Sequence, residues 1–180
     1  FHIHGIIASI LAPLYKGGKV VALPKFNVLS FYNFLDIHSP SWFTAVPTML
    51  QSIIDRSKNN LKIVKKNKLR FIRSSSASLP KNTLKELESL FRIPVIESYG
   101  MTEATHQMTS NPLPPLIQKA GFVGLPAGPE VCIMDITGNQ LEKGAEGEVC
   151  IKGPNVMKGY WNRPEATAEA IDDQGWFHSG

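Results

Sequence analysis

The sequence predicts an α/β fold, with a mostly parallel sheet flanked by helices and then a small antiparallel β unit. Up to about residue 118, short β-rich apolar runs alternate with helical patterns, and successive strands start roughly 20–30 residues apart, as in strand–helix–strand crossovers. From Gly121 onward, short strands are separated by turns that contain Gly and Asn. Three prolines within 111–118 predict a stiff connector. We therefore expect two parts, residues 1–118 and 119–180.

Helices in the first part are predicted from apolar residues that recur every three or four positions, with starts at proline and a stop at glycine. Strands are predicted from short β-branched and aromatic runs that end at a breaker such as Pro24. In chain order, the first part contains a helix at 5–15, a strand at 19–23, a helix at 28–38, a strand at 42–46, a helix from Pro47 through Ile54, a strand at 69–73, a helix at 80–91 and a strand at 94–97.

The second part is predicted to be mainly strands, because its apolar runs are short and bounded by turn residues. One helix is expected at 164–171, where Pro164 and Glu165 suit a first helical turn. The strands are predicted at 121–123, 130–135 and 148–152.

Composition excludes several classes of protein. Hydrophobic residues make up 43% and charged residues 19% of the chain, which is typical of a globular protein and not of a disordered one. No apolar run reaches the roughly 18–20 residues of a membrane span. The net charge of +4 is concentrated in 58–70, which lacks aromatic residues and is interpreted as a solvated linker, not a nucleic-acid site. Cys132 and Cys150 lack zinc-site spacing, so we expect reduced thiols in a cytoplasmic protein.

A serine-rich stretch at 74–78 follows the strand predicted at 69–73. Ligands of open parallel sheets bind at the carboxyl ends of the strands, where such loops converge. Hydroxyl groups and small side chains allow a flat ring or a carboxylate to lie against the backbone. Alternatively, these serines cap the helix that starts at Pro80. The sequence leaves both interpretations open.

A second loop, 99–106, follows the strand predicted at 94–97. Tyr99 offers a planar face for stacking, and Gly100 permits a tight turn. Thr102 adds a hydroxyl donor and Glu103 a carboxylate that can hold a divalent cation. A nucleoside phosphate with Mg²⁺ needs these groups. We expect this loop and 74–78 to share one rim of the sheet and to leave a slot shaped for an adenylate.

Five motifs occur in a single order along the chain: FHIHG at 1–5, RSSSASLP at 73–80, YGMTE at 99–103, GEVCIKGPNVMKGYWNRPEAT at 147–167 and GWFHSG at 175–180. Together they resemble the AMP-forming acyl-CoA synthetases, the acyl-adenylate-forming superfamily that includes 4-coumarate–CoA ligases, luciferases and peptide-synthetase adenylation domains. The serine-rich loop and the run YGMTEATHQMTSNPLP are most similar to the oxalate–CoA ligase branch. The resemblance spans nearly the whole chain and implies an internal fragment of the N-terminal domain, with an adenylate-binding subdomain at 1–118.

The resemblance also implies a reaction and a set of residue roles. A carboxylic acid attacks ATP to give an acyl-adenylate and pyrophosphate, and coenzyme A then forms the thioester and releases AMP. Tyr99 would stack on adenine. Thr102 would donate to the α-phosphate and Glu103 would hold Mg²⁺, so both are assigned as catalytic. The nucleotide-binding residues implied are Ser76, Ala77, Ser78, Glu97, Ser98, Tyr99, Gly100, Met101 and Thr102.

The resemblance also implies which residues bind the carboxylic acid, and most of them are histidines. His2 or His4 would border the acyl pocket, with Ser76 and His106 as donors to a second carboxylate, which favours a small polar acid such as oxalate. His106 as a buried structural histidine and His4 as a packing residue stay open. A medium-chain acyl, aryl or amino acid is the rival substrate. A non-catalytic binding module is disfavoured because Thr102 and Glu103 are intact.

Other parts of such an enzyme are expected outside these 180 residues. The phosphate loop would precede them, and the ribose-binding Asp and the C-terminal lid domain with its adenylation Lys would follow. We therefore expect the isolated fragment to be inactive. For activity it would need the preceding segment and the C-terminal lid domain as partners. Within the hairpin motif, Glu148 is expected to face the site. The hairpin residues Gly147, Gly153, Gly159, Tyr160 and Trp161 are interpreted as structural.

Overall fold

Three parallel strands form the centre of the first unit. In the computed structural model, which describes residues 2–23 and 25–180, β1 (Trp42–Ala45) pairs in parallel with β2 (Phe71–Ser74), and β2 with β3 (Val95–Tyr99). Two short strands, β4 (Thr109–Ser110) and β5 (Leu125–Pro126), complete the order β1-β2-β3-β4-β5. The predicted mostly parallel sheet with flanking helices is confirmed.

Helices cover one face of this sheet because its register collects apolar residues there. Phe43 lies opposite Ile72, and Ile72 opposite Val95, so their side chains point to the same face. Ile72 and Val95 share a buried core with Leu50, Leu87 and other helical residues. After a π-type helical segment (His4–Leu11), the helices are α1 (Ala12–Tyr15), α2 (Val28–His38), α3 (Pro47–Arg56), a 3₁₀ turn (Ser57–Asn60), α4 (Leu61–Lys66) and α5 (Lys81–Phe91).

Local signals set the ends of the longer helices. The side chain of Asn27 accepts a hydrogen bond from Leu29 N at 2.9 Å and caps the start of α2. Pro47 occupies the first turn of α3, where its missing N–H costs nothing. Arg92 follows α5 in the left-handed region, with φ 58°, a common way for a helix to end.

The second unit contains an antiparallel sheet, one α-helix and a 3₁₀ turn (Thr102–Ala104). β6 (Glu130–Met134) pairs with β7 (Glu148–Lys152), and β7 with β8 (Phe177–His178). The remaining helix is α6 (Pro164–Ala170). Cys132 and Cys150 face each other across β6 and β7 as free, buried thiols. The small antiparallel β unit predicted from the sequence is therefore confirmed.

The chain divides into two compact units, residues 1–99 with 110–125 and residues 100–109 with 126–180. The predicted domains, 1–118 and 119–180, stay a prediction. Phe1, which opens the FHIHG motif, and Pro24, the predicted end of a strand, lie outside the described residues.

Three local predictions are wrong. Residues 19–23 form no strand in the described chain, and Val21 and Leu23 are exposed, because β propensity without a ladder partner does not make a strand. Residues 121–123 form a turn, since Gly121 has φ 82°. The basic stretch 58–70 is largely helical and buries Val64, so it is not a linker. Among the described residues, no helix has both the length and the apolar character needed to cross a membrane.

Candidate functional site

The serine loop, residues 74–78, lies beside the end of β3. Ser74 is opposite Glu97 in the parallel register. Ser75 Oγ donates to the carbonyl of Ser98 at 3.2 Å, and Ser98 Oγ donates to the carbonyl of Ser74 at 3.4 Å. The carboxyl ends of β2 and β3 are therefore fastened together, and the strand that ends at Tyr99 shares a rim with the serine loop.

The side chains of this rim differ in exposure. Ser76, Ala77 and Ser78 are exposed, Ser98 is buried and Tyr99 is half-buried. Ser76 has φ 73°, an uncommon conformation for a residue with a side chain and one enriched at functional sites. No side-chain cap occurs at the start of α5 in the described chain, so the capping interpretation of the serines is not supported.

Ser74 and Tyr99 provide groups suited to a nucleotide. Ser74 Oγ is buried and has no hydrogen-bond partner among residues 2–23 and 25–180. A buried, unsatisfied hydroxyl is costly unless a ligand or water completes it. Together with the ring of Tyr99 and the exposed serines, it fits a polar, flat ligand at this rim.

Glu97 differs from its neighbours because its carboxylate is turned into the protein. It is 6% exposed and accepts a hydrogen bond from Gly121 N at 2.8 Å. Burial raises the pKa of Glu97, while the Gly121 amide and the charge of Lys81 oppose the rise. The carboxylate lines a cavity of about 120 Å³ together with Lys119. A direct contact of Glu97 with adenine stays a prediction.

His4, not His2, is joined to the serine loop. The Nδ1 atom of His4 lies 3.0 Å from Ser76 Oγ and its Nε2 atom 2.6 Å from Thr44 Oγ1. His2 is exposed, and its Nδ1 atom accepts from the His4 amide at 3.3 Å. Burial, and then the charges of Arg73 and His2, lower the pKa of His4 to about 4. His4 is thus a buried, neutral imidazole held at both nitrogens.

One cleft of the first unit is mainly apolar and is not centred on these polar groups. Its volume is about 870 Å³, and it is lined by His2 and Thr44 together with side chains such as Ile6, Phe31 and Trp42. His4 and Ser76 are not among the described residues that line it. Size alone therefore does not identify the acid-binding site.

The glycine turn, residues 100–107 of the second unit, is shaped by its backbone. A Cβ atom at Gly100 would overlap the carbonyl oxygen of His106, so only glycine fits. Thr105 and His106 both have positive φ, 50° and 84°. Asn155 Nδ2 donates to the carbonyl of Ala104 at 2.8 Å and fastens the turn to the hairpin motif.

The predicted site residues of the glycine turn differ in exposure. Thr102 is exposed, Met101 and Glu103 are half-buried, and His106 is 3% exposed. The burial of His106 is compatible with the structural interpretation and with a donor facing a closed pocket, so its role stays a prediction.

Tyr160 contacts Glu103, and this contact was not predicted from the sequence. Its hydroxyl donates to Glu103 Oε1 at 3.1 Å, although the sequence favoured a structural role for Tyr160 over a catalytic one. Glu103 Oε2 has no other partner within the described ranges and stays available to a hard cation such as Mg²⁺. Burial and the bond to Glu103 raise the pKa of Tyr160. The spacing between residues 103 and 160 gave no signal for this pair.

A second polar cluster lies on β7 and β8. His178 Nδ1 is 2.8 Å from Glu148 Oε2 and 3.4 Å from Cys150 Sγ. Glu148 Oε1 accepts from Gly180 N at 2.7 Å. The hydrogen bond to Glu148 is the main cause that raises the pKa of His178 and lowers that of Glu148. These three side chains could hold a cation, but here they form a closed hydrogen-bonded cluster.

Comparison with known proteins assigns the family. Residues 1–161 match the family described as AMP-binding enzyme. The chain belongs to the AMP-binding enzyme family. An oxalate–CoA ligase of Arabidopsis thaliana is 46% identical over 183 residues, which is 100% of this chain and 35% of that protein. A malonate–CoA ligase of the same plant is 34% identical over 196 residues, 99% of this chain and 31% of that protein.

Solved structures of CoA ligases and of MatB share the fold. ATP-bound MatB from Rhodopseudomonas palustris has a TM-score of 0.89 and 31% identity over 99% of this chain and 35% of that one. A malonyl-CoA ligase ternary product complex, with methylmalonyl-CoA and AMP bound, has a TM-score of 0.86 and 33% identity over 100% and 38%. The chain spans about a third of the length of the curated relatives it matches.

Proposed function

We propose that the protein carrying this chain is an ATP-dependent acid–CoA ligase that adenylates a short acid with a second anionic group, oxalate being favoured. The observation that carries the proposal is the 3.0 Å contact between His4 Nδ1 and Ser76 Oγ. This contact joins His4 of the FHIHG motif to the serine loop through polar groups. A long-chain or aryl acid needs apolar walls at its binding site, so polar groups here favour a small polar acid. Relatives named for oxalate and malonate, at 46% and 34% identity, support the same class of acid.

The nucleotide is assigned to residues at and after the carboxyl ends of β2 and β3. Tyr99 stacks on adenine, and the exposed residues Ser76–Ser78 border its edge. Thr102 donates to the α-phosphate. Glu103 would hold Mg²⁺, which would supply positive charge to the phosphates when bound.

The chemistry needs no covalent enzyme nucleophile. A carboxylate oxygen of the acid attacks the α-phosphorus of ATP, the bond to the bridging oxygen breaks, and pyrophosphate leaves. The thiolate of coenzyme A, whose proton passes to solvent, then attacks the acyl carbon and expels AMP. Thr102 contributes by orienting the α-phosphate, and catalysis of this kind depends on positioning and charge.

The second anionic group of the acid is assigned to His4, Ser76 and His106, with His2 at the outer edge. Among these, His4 and Ser76 already contact each other. The Ser76 hydroxyl can donate to a carboxylate without the desolvation cost of a second buried charge, and His4, whose two nitrogens contact Ser76 and Thr44, acts through Ser76.

The decisive experiment presents the full-length enzyme with a panel of acids and measures pyrophosphate release with ATP and Mg²⁺. Oxalate is expected to give the highest kcat/KM, followed by malonate. The apolar cleft of about 870 Å³ favours one rival, a medium-chain acyl or aryl acid. A preference for octanoate or benzoate would reject oxalate and support that rival.

His106 provides a narrower test of the acid class. If it donates to the second carboxylate, His106→Ala should reduce kcat/KM about 10–150-fold more for oxalate than for acetate, which is the effect of about 1.5–3 kcal/mol for one charged contact. Equal losses for both acids would assign His106 a structural role.

We also expect residues 1–180 alone to form no adenylate, because the chain spans about a third of the length of its relatives. Pyrophosphate exchange by the isolated chain above a blank would contradict this expectation. A cytoplasmic location, or a peroxisomal one if the source is a eukaryote, stays a prediction.

A further inference from the structure

Four polar side chains of the first unit form a continuous series: Arg73, Thr44, His4 and Ser76. Arg73 Nη1 donates to Thr44 Oγ1 at 3.5 Å, Thr44 Oγ1 lies 2.6 Å from His4 Nε2, and His4 Nδ1 lies 3.0 Å from Ser76 Oγ. The strand register explains the first step, since Thr44 on β1 is directly opposite Arg73 on β2. The series therefore begins in the sheet and ends in the serine loop.

The donor and acceptor of each of these hydrogen bonds follow from Arg73, the first residue of the series. A guanidinium group only donates, so Thr44 Oγ1 accepts from Arg73. The hydroxyl proton of Thr44 then needs an acceptor, and in the described part of the chain His4 Nε2 is the acceptor that Thr44 Oγ1 contacts. Because Nε2 accepts, the proton of the neutral imidazole is on Nδ1.

The last step concerns Ser76. If His4 Nδ1–H donates to Ser76 Oγ, the hydroxyl proton of Ser76 points away from His4. Ser76 is exposed and sits at the tip of the loop with φ 73°. Its hydroxyl can therefore act as a donor to an incoming group that only accepts, such as a carboxylate.

His4 has to be neutral for this series to hold, because a protonated imidazole would donate from both nitrogens. His4 is 7% exposed, and the charges near it are those of Arg73 and His2. Burial and these charges keep its pKa near 4, so the imidazole is neutral at pH 7.

We propose that Arg73 and Thr44 are positioning residues that fix His4 in the Nδ1–H tautomer, so that Ser76 is held as a hydrogen-bond donor to the carboxylate of the acid. The proposal rests on the proposed function, because it assigns the acid to this loop. Loss of the series would let His4 take the Nε2–H tautomer. Ser76 would then donate to Nδ1 and turn its lone pairs toward the acid, which is repulsive.

Thr44→Val is the informative variant, because valine keeps the shape of threonine and removes the hydroxyl. Thr44→Ser is its matched control, since it keeps the hydroxyl. In the full-length enzyme, KM for oxalate should rise about 10-fold in Thr44→Val with little change in kcat, which is the size of one lost charge-assisted hydrogen bond. Thr44→Ser should resemble the parent enzyme.

A spectroscopic measurement tests the tautomer without substrate. Two-bond proton–nitrogen spectra of ¹⁵N-histidine-labelled enzyme distinguish Nδ1–H from Nε2–H, and His4→Gln identifies the signal. We expect Nδ1–H alone in the parent and in Thr44→Ser, and a mixture in which Nε2–H is also populated in Thr44→Val, because valine no longer selects one tautomer. Arg73→Met should resemble Thr44→Val, and Arg73→Lys, which still only donates, should restore the parent signal. If the Arg73 variants fail to fold, the two Thr44 variants decide the matter.

The outcomes separate this proposal from the proposed function. A tautomer change together with a higher KM for oxalate supports it. An unchanged tautomer in Thr44→Val, or a changed tautomer with unchanged KM, overturns it. An enzyme that adenylates no short acid refutes the proposed function, and the parent spectrum still reports whether the hydrogen bonds run in this direction.

Discussion

The serine loop and the glycine turn are both polar, but different forces hold them. The serine loop is held by side chains far away in the sequence, since Ser76 bonds to His4 and Ser75 to Ser98. The glycine turn is shaped mainly by its own backbone, through the close approach at Gly100 and two residues with positive φ, and Asn155 fastens it to the hairpin motif. The two loops should therefore fail in different ways when they are changed.

A loop held by side-chain hydrogen bonds keeps its path when one bond is lost, because each bond contributes only about 0.5–1.5 kcal/mol. Its groups then point in other directions, and recognition changes first. A turn held by backbone contact cannot absorb added volume without moving the groups it carries. We therefore expect the largest losses of activity from steric changes in the glycine turn.

Gly100→Ala tests this directly. The new Cβ atom would overlap the carbonyl oxygen of His106, so the turn has to rearrange and displace Thr102 and Glu103. We expect adenylation, measured as pyrophosphate exchange by the full-length enzyme, to fall at least about 100-fold, equivalent to about 2.7 kcal/mol.

Gly138→Ala is the matched control for Gly100→Ala. Gly138 lies in a turn with φ 81°, and nothing lies within 4 Å of a Cβ atom placed there. It should lower the free energy of unfolding by about 1 kcal/mol through backbone strain alone and leave activity unchanged. Equal activity losses in the two variants would mean that the glycine turn is not fixed by steric contact.

Glu103→Gln should give the next largest effect, because it keeps the shape of the turn and removes one charge. We expect kcat/KM for adenylation to fall about 10–150-fold, as for the loss of a charged contact of about 1.5–3 kcal/mol. A Mg²⁺ titration should show weaker half-saturation. The exposed residue Glu146 provides a control as Glu146→Gln. Unchanged turnover of Glu103→Gln at saturating Mg²⁺ would count against the metal role.

The contrast between the loops also explains what the sequence could predict. Periodicity identified α2 and β7 with the bounds later observed, because both depend on local pattern and burial. Local chemistry also indicated Gly100 as a turn residue. Residues 19–23 have the composition of a strand but lack a ladder partner, and composition does not report partners.

Contacts between residues far apart in the sequence are the part of the site that could not be predicted. Thr44 stands in an apolar run and showed no sign of its bond to His4, 40 positions away. Tyr160 and Glu103 are 57 positions apart. Arg73 is a charged residue within a mainly apolar predicted strand, which indicates that it has a polar partner in the fold. Its partner on β1 follows only from the register of the folded sheet.

Tyr160→Phe should have a smaller effect than Glu103→Gln, because it removes one hydrogen bond and leaves the carboxylate in place. The half-saturating concentration of Mg²⁺ should change by about 2- to 10-fold, the range for a bond of about 0.5–1.5 kcal/mol. Tyr15, which is 86% exposed, supplies the control Tyr15→Phe. An effect as large as that of Glu103→Gln would mean that Tyr160, and not the backbone, orients Glu103.

The smallest expected effect concerns the ion pair between His178 on β8 and Glu148 on β7. The pKa of His178 is raised by Glu148, so its contribution to stability is complete below the ordinary value of about 6.5 and is lost as pH rises through the folded-state pKa. The pKa of Glu148 is lowered, so its contribution is present above about 4.3 and is lost as pH falls. The pair should therefore stabilise β7 and β8 most at mildly acidic pH.

Amide exchange of β7, corrected for the intrinsic pH dependence, should show protection that falls as pH rises past the folded-state pKa of His178. The fall should be a few tenths to about 1 kcal/mol, because both side chains are partly exposed to solvent. Glu148→Gln should reduce this slope and move the pKa of His178, followed by NMR, toward its ordinary value, while Asp172, 3.6 Å from His178 Nε2, keeps part of the rise. An equal slope in the variant would show that backbone contacts alone hold this strand pair.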